Sequence, residues 1–325
     1  MKENVEKQLT VIDSLLRDKA FCLSVAKLQD TAYYTGIGQP VPPFLLPGEE
    51  NAFVQKSVRE QKIAGNLAGF YAVECAIGLL CEQTKEKPSA WLQKISNAGA
   101  DSSTILLLNR FANATWKAGQ PFKGMDKIER PVFRSASFLP VEEIQKDYGQ
   151  VKAAAGKLLS SLGPVADSST DMQMKRIREL LQSPSYAMEM AVSINKAFNG
   201  TDNDTLLAST EDDTATVSKP AKDQKMATNL AGFYAVECCT DYLVSTRNVL
   251  PSDLLGSIVD NSIRGEDKDL YNRFANATWK AGQPFRGLQR IERETFTPFY
   301  FLTKEDIDKD WVQIKTAAKK LLEAL

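Results

Sequence analysis

The sequence predicts a mainly α-helical protein, built as a tandem duplication of one helical domain of about 160 residues, with little or no β-structure. Three observations predict this class: a long internal repeat, apolar residues at helical spacing in each copy, and prolines and glycines placed to suit helix ends. The chain has 325 residues, of which 43% are hydrophobic and 25% are charged, as in an ordinary globular protein. A chain of this length can bury two cores, one in each copy.

Two blocks of sequence occur twice. The block "NLAGFYAVEC" at 66–75 returns at 229–238, and "NRFANATWKAGQPFKG" at 109–124 returns at 272–287 with one Lys changed to Arg. Both blocks are displaced by 163 residues, from 66 to 229 and from 109 to 272. A period this long indicates a duplicated domain and not a solenoid, whose units have roughly 20 to 50 residues.

The similarity extends beyond the two blocks. "EEIQKDYGQVKAAAGKLLSSL" near the end of the first copy aligns with "EDIDKDWVQIKTAAKKLLEAL" at the end of the chain. Between the copies, Gly and Pro followed by small polar residues favour the end of a helix and a linker. The sequence therefore predicts two domains, residues 1–163 and 171–325, joined by a linker at 164–170.

Within each copy the predicted elements are helices. Apolar residues follow a helical stripe from residue 5 to 30, and the pattern continues over 61–82. Pro88 and Pro251 suit the first turn of a short helix. The helix of the longer repeated block is expected to stop at its Gly, which is Gly119 in the first copy and Gly282 in the second.

The last helix of each copy has its own start signal. It is expected to begin at Pro140 in the first copy, and at Thr303 in the second, where Asp306 follows as in a capping box. Long connections are predicted at 35–51 and 199–220, and they share almost no sequence. The acidic second connection is interpreted as a solvated surface loop, with a cation site as the alternative.

The longer block places a polar row on one face of its helix. Residues spaced by four lie on one face, with a Trp beside them and a Gln past the end. Amides and an ammonium can bind a small polar ligand, and an indole ring can stack on it. The candidate ligand-binding residues are Asn109, Asn113, Trp116, Lys117 and Gln120, with Asn272, Asn276, Trp279, Lys280 and Gln283. The alternative is that Trp packs the core while Asn and Gln bond the backbone, but packing alone does not explain why polar positions are retained.

The shorter block carries one carboxylate in apolar surroundings. Glu74, and Glu237 in the second copy, need a partner if they are buried. The predicted partners are Arg110 and Arg273, in structural ion pairs within each copy, and a catalytic acid is the alternative. Cysteines follow both glutamates and are interpreted as small buried residues, since no histidine is present to activate them.

Composition excludes several classes of function. The chain has no histidine and none of the glycine-rich phosphate-binding motifs, so no catalytic residues, metal site or cofactor are predicted. A net charge of -1 argues against a general nucleic-acid surface. The sequence contains no run of 18 apolar residues, so no membrane-spanning helix is predicted. Its five cysteines lack paired spacing, which indicates reduced thiols and a cytoplasmic protein.

The C-terminal part of each copy resembles the ryanodine receptor repeat. The residues that carry this resemblance are "FANATWKAGQPF", with its Trp after small residues, the aromatic turn in "FTPFYFLTKEDIDKDW", and the final helix "IKTAAKKLLEAL". It covers residues 105–160 and 268–323, and the block "NLAGFYAVEC" lies outside it. The resemblance implies a small helical interaction or ligand-sensing module that occurs in pairs, with Trp116 and Trp279 as its matching residues.

These observations favour a non-catalytic module that binds a small polar ligand or a protein partner. The alternative is a structural protein of a virus or large complex, which would use the repeated blocks as interfaces and form a homo-oligomer. An enzyme that works with carboxylates and lysines alone is the third hypothesis.

Overall fold

The protein is mainly helical, as predicted. The computed structural model describes residues 2–199, 207 and 210–325. The first half of the chain contains α1 (Lys2–Leu16), α2 (Lys19–Gly36), β1 (Phe53–Ser57), α3 (Val58–Gly65), α4 (Ala68–Thr84), α5 (Pro88–Ser96), α6 (Ser102–Lys123) and α7 (Val141–Leu162). The second half contains α8 (Thr170–Leu181), α9 (Pro184–Asn199), β2 (Thr216–Pro220), α10 (Ala221–Thr228), α11 (Ala231–Arg247), α12 (Pro251–Val259), α13 (Gly265–Arg286) and α14 (Lys304–Leu322).

The two halves have matching element boundaries. From β1 to α6, each element has the same length as its counterpart from β2 to α13, and the start of α4 at Ala68 corresponds to the start of α11 at Ala231. The helices expected at Pro88 and Pro251 begin there. Thr303 caps α14 as predicted, because its hydroxyl oxygen accepts the Asp306 N–H at 3.2 Å.

The N-terminal stripe differs from its prediction, since it forms two helices instead of one. Asp18 interrupts it: its carboxylate accepts the backbone N–H groups of Ala20 at 2.8 Å and Phe21 at 3.0 Å. A side chain that satisfies the free N–H groups of a helix start makes a new helix favourable at that point. Residues 61–82 are also divided between two helices, α3 and α4, although no side chain caps the start of α4.

The predicted helix stop at Gly119 and Gly282 is wrong. Helices α6 and α13 continue past both glycines to Lys123 and Arg286, and end at Gly124 and Gly287 instead. These end glycines have φ values of 144° and 142°, a backbone conformation that disfavours other residues. Gly119 has a packing role, because a Cβ atom there would lie 2.8 Å from Cε2 of Phe285.

A two-stranded antiparallel ribbon joins the halves. Gln55 of β1 lies opposite Ser218 of β2, and the strand ends Phe53 and Ser57 face Pro220 and Thr216. Residues 216–220 therefore form a strand at the end of the segment predicted as a long loop. Residues 200–206 and 208–209 of that predicted loop lie outside the described residues.

The helices of the two halves are interlocked. Helix α2 packs on α14 of the second half, and α9 packs on α7 of the first half, so each N-terminal helix pair covers the other half. Helices α6 and α13 pack against each other and against α11 and α4 of the opposite half. Since each contact has a counterpart with the roles of the halves exchanged, the halves are related by an approximate twofold axis.

The hydrophobic core is continuous across this axis. The rings of Phe111 and Phe274 stack with centroids 4.0 Å apart where α6 crosses α13. Under the ribbon, Phe122 and Phe285 form a second stack at 5.4 Å. The packing therefore does not divide at the linker predicted for residues 164–170.

Within the described part of the chain, no single helix is both long and apolar enough to cross a bilayer. Helices α3 and α4 together have the length and apolar composition of a span, but they are bent by 44° at their junction, and most of α4 is buried in the core.

Candidate functional site

The polar row of α6 lies in the core, where it contacts the second half. The ammonium of Lys117 is fully buried and lies 2.6 Å from the carboxylate of Glu237, which is 1% exposed. It also lies 3.5 Å from Sγ of Cys238. Desolvation opposes the charged ammonium, but the carboxylates of Glu237 and Asp241 outweigh it and raise the pKa of Lys117.

The second half repeats this arrangement. Lys280 is fully buried and lies 2.5 Å from the carboxylate of Glu74. The Cys75 thiol lies 3.7 Å from Oδ1 of Asn276, as the Cys238 thiol lies 3.5 Å from Oδ1 of Asn113. The longer block of each half therefore contacts the shorter block of the other half across the twofold axis.

Both thiols are unreactive in this environment. Burial raises the pKa of the Cys75 and Cys238 thiols, and the neighbouring glutamates raise it further. A thiol in its neutral form is a poor nucleophile and metal ligand. Among the described residues, no group of three or more Cys, Asp or Glu side chains is placed to hold a metal ion.

The predicted ion pairs Glu74–Arg110 and Glu237–Arg273 do not form. Because the helices pair across the axis, the lysines reach the glutamates, and the arginines lie elsewhere. Arg110 pairs with Asp241 of the other half at 2.6 Å. Arg273 faces Gly78 at the position equivalent to Asp241, and pairs instead with Asp269 at 2.7 Å and Glu82 at 2.5 Å.

The remaining candidate residues are also inside the molecule. Asn109 and Asn272 are 8% and 3% exposed, and Gln120 and Gln283 are 2% and 3% exposed. Their near-complete burial leaves the amides no surface on which to receive a ligand from solution. Their burial agrees with the alternative in which the block packs the core and its Asn and Gln side chains bond within the protein.

The two tryptophans are partly buried at the end of the row. Trp116 packs on Phe133, whose ring also contacts Tyr234 of the second half. Trp279 makes the equivalent contact with Phe296. Each tryptophan lines a surface depression of about 10 Å³, which is too small to admit a ligand.

Each depression has one cationic side chain in its wall, Lys123 or Arg286, and each of these belongs to a cluster of cationic side chains. The first basic cluster consists of Lys123, Lys127, Arg130 and Lys219, and the second consists of Arg286, Arg290, Arg293 and Lys56. In each cluster one residue lies near the end of the longer repeated block, two follow the block, and the fourth comes from the ribbon strand of the other half. The pairing of the two strands therefore supplies the fourth cation of each cluster.

The first basic cluster is held together at the end of α6. The Lys219 ammonium donates to the backbone carbonyl oxygen of Lys123 at 2.7 Å. Burial and the positive charges of Arg130, Lys219 and Lys127 lower the pKa of Lys123 to about 8. Lys127 pairs with Asp126 at 2.6 Å.

The second basic cluster has the same character. Burial and the charges of Arg290 and Arg293 lower the pKa of Arg286 to about 10, and burial with the charges of Arg286 and Arg290 lowers the pKa of Lys56. Within the described part of the chain, Lys127 is the one member of either cluster with a carboxylate oxygen within 4.0 Å. The cations of each cluster repel one another, and the nearby carboxylates of Glu60 and Asp126 offset only part of this repulsion.

Sequence reasoning missed these clusters. A signal was present, because "KIER" at 127–130 and "RIER" at 290–293 continue the repeated block and keep its cations in register. The contribution of Lys56 and Lys219 could not be read from the sequence, since it depends on a strand pairing between residues 163 positions apart.

Comparison with known proteins gives no relative: no family model, curated protein or solved structure matches the chain. The resemblance to the ryanodine receptor repeat stays a prediction.

Proposed function

We propose that this protein is a non-catalytic binding protein that holds anionic groups at the two basic clusters. The observation that carries this proposal is the assembly of four cations at each end of the ribbon, with one carboxylate partner among the eight. Grouped like charges disfavour the folded state, and an anion bound among them would relieve the repulsion. The buried Lys–Glu pairs need no such ligand, because each charge already has its partner.

The proposed ligand is an acidic segment of a partner protein. Arg130 and Arg293 are exposed and the other cluster residues are partly buried, and the depressions beside Lys123 and Arg286 are too small for a ligand to enter. Exposed apolar residues lie on the same side of the molecule, including Tyr33, which is near Arg286, and Phe53 of the ribbon. A net charge of -1 gives little long-range attraction for a long polyanion such as a nucleic acid.

Charge reversal tests the proposal. Arg130 and Arg293 are exposed, and the double variant Arg130→Glu, Arg293→Glu changes both clusters without touching the core. Fluorescence anisotropy with a labelled peptide of eight glutamates is expected to show binding to the native protein and at least a tenfold loss in the variant. The matched control is Lys7→Glu, Lys175→Glu, which changes the net charge equally at two exposed sites on α1 and α8.

Two results would overturn this assignment. An equal loss of affinity in the control would mean that the peptide responds to net charge alone. Tighter binding of a single-stranded oligonucleotide with eight phosphates would replace the protein partner with a nucleic acid. In both cases the salt concentration must be kept constant, because exposed charges are screened over about 10 Å at 0.1 M salt.

We infer that the two halves, residues 1–163 and 171–325, arose by duplication of one module of about 160 residues. Matching element lengths and the reciprocal exchange of α1–α2 and α8–α9 support this inference. A module with these contacts would have formed an intertwined homodimer before duplication, as domain swapping produces.

The assembly hypothesis needs a different surface from the one predicted. The repeated blocks meet inside one chain and are buried, so they are not available as interfaces between chains.

We also propose that the protein is located in the cytoplasm. This proposal is supported by its five cysteines, which are all buried free thiols.

A further inference from the structure

A cleft of about 550 Å³ opens in the second half, between the end of α11, helix α12 and the start of α13. It lies within the range of about 300 to 1,000 Å³ that small-molecule sites occupy. Apolar and charged side chains share its wall. The lining residues are Arg247, Val249, Leu254, Ser257, Ser262, Ile263, Arg264 and Asp267.

The first half fills the equivalent space with its own side chain. Leu254 corresponds to Trp91, whose indole is 5% exposed. The indole N–H donates to the Thr84 hydroxyl at 3.0 Å, and the Lys94 ammonium lies 4.4 Å from the ring centre. Arg247 and Ser257, which line the cleft, are the counterparts of Thr84 and Lys94. The Trp91 indole contacts Thr84 and Lys94, so in the first half it occupies the space that corresponds to the cleft.

The backbone around the two sites is the same. Helices α5 and α12 both have nine residues and begin with proline. The turns that follow place Ala98 and Asn261 in the left-handed conformation, both with φ of 56°. The cleft therefore results from the exchange of an indole for a smaller side chain in an otherwise retained frame.

Charged groups lie at one end of the cleft: Arg247, Arg264 and Asp267 line it, and Glu266 lies beside the two arginines. Asp267 is 3% exposed and accepts from Arg264 Nε at 3.0 Å and from Arg247. Glu266 is 66% exposed and lies 3.2 Å from Arg264 and 3.5 Å from Arg247. Two guanidinium groups and two carboxylates sum to zero charge, and they offer both donors and acceptors to a ligand.

We propose that this cleft binds a free aromatic amino acid, with its ring on Leu254 where the first half holds the Trp91 indole. The ligand's carboxylate would pair with Arg247 and its ammonium with Glu266, so that a zwitterion meets a cluster of equal and opposite charges. An apolar wall with a few polar groups at one end is the usual composition of a small-ligand site.

L-Tryptophan is the probe, and isothermal titration calorimetry is the measurement. We expect one binding site per chain. The variant Leu254→Trp places in the second half the side chain that the first half already accommodates, and it should weaken binding at least tenfold. The matched control Trp91→Phe changes the equivalent position of the first half and should leave the affinity within twofold.

A second variant keeps the test decisive if Leu254→Trp fails to fold. Arg247→Thr installs the residue of the first half at an exposed position, and it should weaken L-tryptophan at least fivefold while changing the affinity for uncharged indole less than twofold. Absence of binding to the native protein, unchanged affinity in Leu254→Trp, or an equal loss for indole and L-tryptophan in Arg247→Thr would overturn the proposal.

Discussion

The two halves are nearly alike at the centre of the molecule and differ at its outer corners. At the centre, Lys117–Glu237 and Lys280–Glu74 are the same pair at 2.6 and 2.5 Å, made twice across the twofold axis. At the corner after α4 the first half packs Trp91, whereas the second half leaves an open cleft above Leu254. The two halves are therefore most alike where they contact each other, at positions where a changed side chain would have to fit a side chain of the other half.

The largest effect is expected from breaking one central pair. Lys117→Met leaves the Glu237 carboxylate buried without its cation and should lower the free energy of unfolding by about 3–5 kcal/mol. Lys280→Met should cost a similar amount, since the second pair has the same burial. Guanidinium-induced unfolding provides the measurement.

The control for this pair lies on the surface. Lys7→Met breaks an exposed pair with Glu3 in α1 and should change the free energy of unfolding by less than about 0.5 kcal/mol. A loss for Lys117→Met no larger than the loss for Lys7→Met would show that the central pairs do not hold the halves together.

The close approach of the halves gives the next effect. Gly119→Ala would place a Cβ atom 2.8 Å from Cε2 of Phe285. Because an aromatic ring in a packed stack must move to admit it, the free energy of unfolding should fall by about 1–3 kcal/mol.

The matched variant Gly256→Ala acts in the opposite direction. Gly256 lies in α12 with no atom within 4 Å of the added methyl group. Its substitution should raise the free energy of unfolding by up to about 1 kcal/mol, since alanine is the better helix former. Two changes of equal sign would contradict the assignment of Gly119 to the contact between halves.

A pair of equivalent aspartates gives a smaller effect that depends on pH. Burial, and the charges of Glu143 and Asp306 respectively, raise the pKa of Asp147 and of Asp310 to about 7. A carboxyl group with a raised pKa binds a proton in the folded state between its unfolded pKa of about 4 and its folded pKa of about 7. Stability should therefore fall as pH rises through this range and then level off.

The double variant Asp147→Asn, Asp310→Asn removes this loss. The melting temperature of the variant should be nearly constant between pH 5 and 7.5. At pH 7.5 its free energy of unfolding should exceed that of the native protein by about 1 kcal/mol per site, less than the full pKa shift implies, because both side chains keep some contact with solvent. The chain has no histidine that could titrate in this window. An unchanged pH profile in the variant would assign the effect to other groups.

The smallest effect is expected at the outer corner. Thr84→Val removes the hydroxyl that accepts the Trp91 N–H at 3.0 Å. Thr84 is exposed, so water can replace the acceptor, and the free energy of unfolding should fall by about 0.5 kcal/mol. A decrease in the free energy of unfolding as large as that of Lys117→Met would contradict the expectation that contacts at the centre stabilise the fold more than those at the corner.

The sequence predicted the helical class and the positions of helices with proline or capping signals, such as Pro88 and Thr303. These signals act within one turn of the chain, so they are visible in a short window. The sequence did not predict which residues Glu74 and Lys117 would meet, because the exchange of helix pairs between halves is a choice of tertiary packing. The same choice brings Lys219 to the end of α6, and it explains why the basic clusters were not recognised.

Separating the two halves tests the central claim that they are interlocked. The chain can be divided between Asp167 and Ser168, after α7, and the fragments expressed alone and together. Sedimentation equilibrium should show that the fragments form a 1:1 complex when expressed together, and that each alone is either unfolded or a dimer. A folded monomer for either fragment, unfolding cooperatively and not binding the other, would contradict the interlocked arrangement.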